Sequence, residues 1–159
     1  MLKYKTVEEI LFRPQPDREK ILVVGIGNTA RQDDGLGWKF LELIEAIGIP
    51  LEVQQVFQLQ IEDAAMITAY DKVLFVDSHV SKITGGYSLE PVFPEQDGTW
   101  STHALSPASL LHLSGELYQK TPEAWLLSIT GYRWELGKPM TRHAKVNLFE
   151  AFECVRRLI

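Results

Sequence analysis

The chain's 159 residues are enough for one domain with a real core, and 45% apolar against 23% charged residues is the balance of an ordinary folded globule. A formal net charge of −5, with no basic run longer than Arg156-Arg157, argues against a nucleic-acid surface. The single cysteine, Cys154, rules out an intramolecular disulfide framework; no apolar run nears the roughly 18 residues of a membrane span and no signal-peptide core follows Met1, so a cytoplasmic protein without a membrane partner is expected.

Residues 1–19 read as an N-terminal arm. Within it Thr6 and Glu9 have capping-box spacing, which predicts a short helix over 7–12 that Pro14 and Pro16 stop. The first buried strand is expected over 20–24, where Ile21-Leu22-Val23-Val24 is a continuous apolar run. Gly25-Ile26-Gly27-Asn28 and Asp33-Asp34-Gly35-Leu36-Gly37 follow. Two adjacent carboxylates therefore sit where a strand gives way to a helix, the place where open α/β sheets bind ligands. Two readings stay open there: a loop for metal binding or proton transfer, or a plain turn with Asp33 or Asp34 as helix N-cap. Gly37, Phe40, Leu41, Ile44 and Ile47 predict a helix over 34–47, ended by Gly48 and Pro50.

Residues 51–57 alternate as a strand does, and 61–70 predict a second helix. Val73-Leu74-Phe75-Val76 is another buried strand, expected to end at Asp77. After Gly85-Gly86, the polar, alternating segment 87–93 predicts an edge strand, with an antiparallel direction open. Residues 94–102 read as a loop. Ser106-Pro107 is a helix start, with serine as N-cap and proline at the first helical position, and that helix should reach about residue 119. A last buried strand is expected over 124–129, a loop over 131–140, and a closing helix capped by Thr141 that runs to about residue 158. The order β-α-β-α-β-β-α-β-α predicts an α/β sandwich with a largely parallel sheet, a single domain over 1–159.

Asp34, Asp77 and His103 fall on strand ends or on the loops that follow them. In a parallel sheet these loops open on one edge. Two carboxylates and an imidazole suit borderline divalent metals, including nickel, zinc and manganese, and leave coordination positions free for water or substrate. Spacing alone leaves ordinary loop residues as the other reading. His79, two residues past Asp77, reads as a supporting group or a loop histidine. His112 lies among leucines and packs or faces solvent, and His143, near a helix N-terminus, reads as solvated. The glycines spell G-x-G-x-x-A, with Ala30 in the third place, and no acid ends the second strand at Val56-Phe57-Gln58; both count against a nucleotide-binding protein. No phosphate-binding G-x-x-x-x-G-K-S/T loop, H-E-x-x-H or G-x-S-x-G is present, and Cys154 has no placed base.

In combination, Gly25-x-Gly27-Asn28 with Asp33-Asp34-Gly35-x-Gly37, Val73-Leu74-Phe75-Val76-Asp77, Thr102-His103 with Leu105-Ser106 and Leu110-Leu111, and the tail 131–141 resemble the [NiFe]-hydrogenase maturation endopeptidases. The resemblance covers roughly residues 20–158. It implies a three-layer α/β/α sandwich of the phosphorylase/hydrolase-like type, with a mixed, mostly parallel five-stranded sheet. It further implies a metal-dependent endopeptidase that removes the C-terminal extension of a hydrogenase large-subunit precursor after nickel insertion. Asp34, Asp77 and His103 stand where the family reads the nickel, and would be both the metal ligands and the catalytic residues. The nickel would arrive held by thiolates of the substrate protein, with other divalent metals able to substitute. Metal-assisted hydrolysis or a carboxylate base are both open. Three features depart from the family pattern: the long arm before Ile21, Gly131-Tyr132-Arg133-Trp134-Glu135 in a loop expected to shape the substrate groove, and Gln58-Leu59-Gln60 without a proline. They imply a divergent member acting on another hydrogenase class, or, as the alternative reading, a non-proteolytic metal-binding accessory protein on the same fold.

Overall fold

A computed structural model describes residues 19–96 and 105–158. Among them, five strands form one sheet: β1 (Ile21–Ile26), β2 (Glu52–Val56), β3 (Lys72–His79), β4 (Tyr87–Val92) and β5 (Glu123–Thr130). The spatial order is β2-β1-β3-β5-β4. The first four in that order run parallel, and β4 pairs antiparallel with β5 at the edge, with Tyr87 opposite Ile129. The segment expected as an edge strand is thus one, and its direction is settled.

Helices cover both faces, which is why β1 and β3 are apolar without alternation. On one face lie α1 (Leu36–Ala46) and α4 (Arg142–Arg156). Their Phe40, Leu41, Ile44, Leu148 and Phe152 pack on Val23, Leu74, Val76, Leu127 and Ile129. Phe40 and Phe152 meet edge to face at 5.5 Å. On the other face, α2 (Asp63–Ile67) and α3 (Pro107–Tyr118) set Ala64, Ile67, Leu110 and Leu111 against Leu22, Val24, Val73 and Phe75. The result is the expected three-layer sandwich with a mixed, mostly parallel sheet. Among the described residues, no helix is long and apolar enough to cross a membrane.

Several boundaries differ from expectation. The helix predicted from residue 34 begins at Leu36, because a 3-10 turn over Thr29–Gly35 comes first. The helix predicted over 61–70 shrinks to five residues: Thr68 Oγ1 donates to the Ala65 carbonyl at 2.6 Å, a local bond that competes with continuing the helix. β3 continues two residues past Asp77, since Ser78 and His79 stay paired with Ile129 and Thr130. Ser106 does cap α3, accepting from the Ser109 amide at 3.1 Å, and Thr141 caps α4 through the Ala144 amide at 3.3 Å. The helix expected over 7–12, and most of the loop expected over 94–102, lie outside the described residues.

Gly37 sets how closely α1 approaches the sheet. A Cβ there would lie 2.4 Å from the Ile26 carbonyl oxygen and 2.5 Å from that of Val76. The first turn of α1 therefore rests on backbone, not on side chains. Gly37→Ala is expected to cost about 3 kcal/mol through overpacking, read as a lowered urea midpoint. A variant as stable as the parent would show that α1 slides freely on β1 and β3.

Candidate functional site

The chain leaves β1 for β2 on one side of it and later returns to place β3 on the other. The loops after β1 and β3 therefore part at a topological switch point, the usual ligand crevice of such sheets. The first loop is held by its backbone. The Gly27 amide donates to the Val56 carbonyl at 3.0 Å and the Asn28 amide to the Asp34 carbonyl at 3.0 Å. Gly27 has φ +138°, and a Cβ there would lie 1.9 Å from the Asp34 carbonyl oxygen, so only glycine fits. The Asn28 side chain accepts from the Ala30 amide at 2.9 Å and starts the 3-10 turn.

That turn carries both neighbouring acids, each just past its kink. Gln32 adopts φ 56°, ψ −117°, a conformation that costs a non-glycine residue about 1–3 kcal/mol. Its Oε1 accepts from the Glu135 amide at 3.2 Å. Past this kink, Asp33 is wholly buried. Its carboxylate accepts from the amides of Tyr132 (2.8 Å), Arg133 (3.2 Å) and Thr141 (2.8 Å), and from the Thr141 hydroxyl (2.7 Å). Asp33 thus fastens the loop over 131–141 to the β1 loop. Neither acid caps α1, as one reading of the sequence had it: Gly35 holds the N-cap position and makes no side-chain cap. Nothing local in the sequence marks the Asp33 role, because all its side-chain partners lie about a hundred residues away.

Asp34 stays half-buried beside Asp77 from the β3 end. Burial pushes the Asp34 carboxyl up, while Arg31, the Asn28 backbone and a hydrogen bond with Ser78 pull it down. Asp77 is pushed up to about 7. Burial is the main cause, the Asp34 charge adds to it, and a bond to the Ser78 backbone opposes it. Two carboxylates that repel each other, one of them with little to favour its charge, form a donor pair suited to a divalent cation. Shifts of this size concentrate at functional sites.

His103 lies outside the described residues. The nearest described residue after it, Leu105, donates its amide to the Leu59 carbonyl at 3.2 Å, which puts the approach to α3 beside the loop after β2. Among the described residues, no group of three His, Cys, Asp or Glu side chains is placed to hold a metal. His79 is exposed and accepts from the Ser81 amide at 3.1 Å. His112 is half-buried in α3, and His143 is exposed with its ring 5.6 Å from that of Tyr132. A groove of about 720 Å³ runs between α1 and α4, lined by Lys39, Leu43, Met140 and Leu148 among others; neither Asp34 nor Asp77 lines it.

No protein-family model matches the chain, and no curated protein matches it by sequence. Solved structures do. The [NiFe] hydrogenase maturation protease HybD from Thermococcus kodakarensis is similar with a TM-score of 0.66 at 18% identity, covering 87% of this chain and 98% of its own. The hydrogenase maturating endopeptidase HybD from E. coli is similar at 0.66 and 21% identity, covering 86% and 89%. The [NiFe] hydrogenase maturation protease HycI from Thermococcus kodakarensis KOD1 reaches 0.68 at 21% identity, covering 88% and 92%. This chain has the fold of those proteases, as the sequence resemblance implied.

Proposed function

We propose that the chain is an endopeptidase of hydrogenase maturation, removing the C-terminal extension of a large-subunit precursor once nickel has been inserted. The observation that carries this reading is the pairing of Asp34 with a high-pKa Asp77 at the switch point of a sheet whose fold is that of such proteases. Nickel belongs to the substrate here. Asp34 and Asp77 supply two oxygen ligands, and His103 is assigned the nitrogen ligand. Its place after Thr102 and before Leu105-Ser106, as in the family motif it resembles, supports that assignment. A site that meets metal already held by another protein needs only a few ligands and no closed cage. Hydrolysis adds water to the scissile carbonyl carbon and breaks its C–N bond, leaving a carboxylate on one product and a free amine on the other. Either the metal polarises that carbonyl or a protein carboxylate left free of the metal takes the water's proton.

The test is cleavage of a nickel-loaded precursor beside a nickel-free one. Wild type is expected to shorten only the loaded form. Asp34→Ala and Asp77→Ala should slow processing by at least about 100-fold, the scale of lost acid–base or ligand function, while remaining folded, since neither side chain fills the core. His103→Ala should remove the histidine-dependent part of the fall in nickel affinity as pH drops through about 6.5, leaving the part set by protonation of Asp77 near 7, and His112→Ala should leave the whole fall in place. Processing that survives loss of either carboxylate would overturn the assignment. Metal and precursor binding without cleavage would favour the accessory-protein reading.

A further inference from the structure

Phe57, just past β2, is 67% exposed, yet it is held in place. Its ring lies 5.1 Å from that of Trp38, and the Trp38 indole N–H donates to the Val56 carbonyl at 2.9 Å. The same carbonyl accepts from the Gly27 amide. One backbone oxygen therefore joins the residue before Phe57, the first loop residue after β1 and an indole four positions beyond Asp34. The ring is tied to the loop that carries Asp34. An exposed aromatic already fixed in position loses little conformational freedom when a partner covers it.

Across the sheet edge the pattern repeats. In strand order, the loop after β2 holds Phe57, that after β1 holds Asp34, β3 carries Asp77 near its end and leads from His79 to Val80 (78% exposed), and the loop after β5 holds Leu136 (73% exposed). Four neighbouring strands span about 14 Å, so these side chains lie within the footprint of a single protein partner. Exposed apolar side chains bracket the two carboxylates on both sides.

We infer that Phe57, propped by Trp38, is an anchor that binds an apolar side chain on the folded protein partner brought to the Asp34–Asp77 edge, and that it sets affinity for that partner. The inference rests on the reading of this edge as the place where a metal-bearing protein is received. It adds which residue grips that protein.

The experiment measures precursor binding and processing with the full chain. Phe57→Ala should weaken binding and raise KM by about 10–30-fold, as loss of an aromatic anchor does, with most of the effect in KM and little in kcat. Phe57→Leu should recover part of the loss. Trp38→Phe, which keeps a ring but loses the bond to Val56, should weaken binding by about 3-fold. Phe149, 55% exposed on α4, is the control, and Phe149→Ala should bind as wild type does. Phe57 packs on the surface, so thermal melts should show every variant folded. An unchanged KM in Phe57→Ala, or an equal loss in Phe149→Ala, overturns the inference. So does self-association that Phe57→Ala abolishes while processing stays intact, which would give the edge to a second copy of the chain. Failure of wild type to cut bears on the proposed function alone, because the binding arm still decides on Phe57.

Discussion

Asp33→Ala should cost about 3–5 kcal/mol, whereas the same change one residue later should leave the protein folded. The Asp33 carboxylate is fully buried and takes four hydrogen bonds from Tyr132, Arg133 and Thr141. Truncation removes all four acceptor contacts at once and leaves four part-buried donors without their partner. Each orphaned group costs about 1–3 kcal/mol, less than additively because the loop relaxes. A few kcal/mol is a large part of a typical domain's 5–15 kcal/mol or so. Asp33→Asn keeps one acceptor but turns an amide N–H₂ toward donors, and should cost about 2 kcal/mol. Urea unfolding of Asp33→Ala, Asp33→Asn and Asp34→Ala decides the matter. An Asp34→Ala protein that unfolds while Asp33→Ala melts like wild type would exchange the two roles.

Asp77→Asn should make the metal-free protein more stable at pH 8 while removing its activity. In the folded protein the Asp77 carboxyl is pushed up from an ordinary 3.8 to about 7. An acid whose folded pKa lies above its unfolded value stabilises the fold below about pH 4, and that contribution is lost as pH rises through about 7. A rise of that size corresponds to about 4 kcal/mol against ionisation. Residual solvent access reduces what reaches stability to about 1–3 kcal/mol. Asparagine carries no such cost. The difference in unfolding free energy between variant and wild type should therefore be near zero at pH 4, grow to pH 7 and level off above it. A flat difference across that range would show that Asp77 ionises in the folded chain as freely as in the unfolded one.

Much of the architecture is legible in the sequence because burial writes itself into composition. Continuous apolar runs at Ile21 and Val73 mark strands covered on both faces, and Ser106-Pro107 and Thr141 mark helix starts by local hydrogen-bond chemistry. Strand length past Asp77 is not legible, since Ser78 and His79 continue the ladder through backbone pairing that their side chains do not announce. The 3-10 turn before α1 is hidden for a related reason. Gln32 stands at a φ where glycine would be expected, and contacts distant in sequence hold it there. Strand-end position singled out Asp34, Asp77 and His103 together; the structure sets the two carboxylates side by side, and His103 lies outside the described residues. The sequence offered Asp33 only as half of a ligand pair or as a helix cap and missed the clasp, whose partners are non-local, and it was silent on Trp38 and Phe57, whose coupling runs through a single carbonyl of the neighbouring strand.

The bond from Thr141 to Asp33 joins residues 108 positions apart. Contacts of such long separation carry a loop-closure cost that earlier pairing reduces, so this one is expected to follow the docking of β5 on β3. The kink that leads Asp33 into its buried clasp is therefore expected to close near the end of folding. Contacts made that late act on the unfolding rate and leave the folding rate nearly unchanged, so weakening this clasp should shorten the lifetime of the native state without slowing its formation. During refolding, helix and strand signals should return before binding activity does, with the interval between them timing the closure of this one carboxylate on its loop.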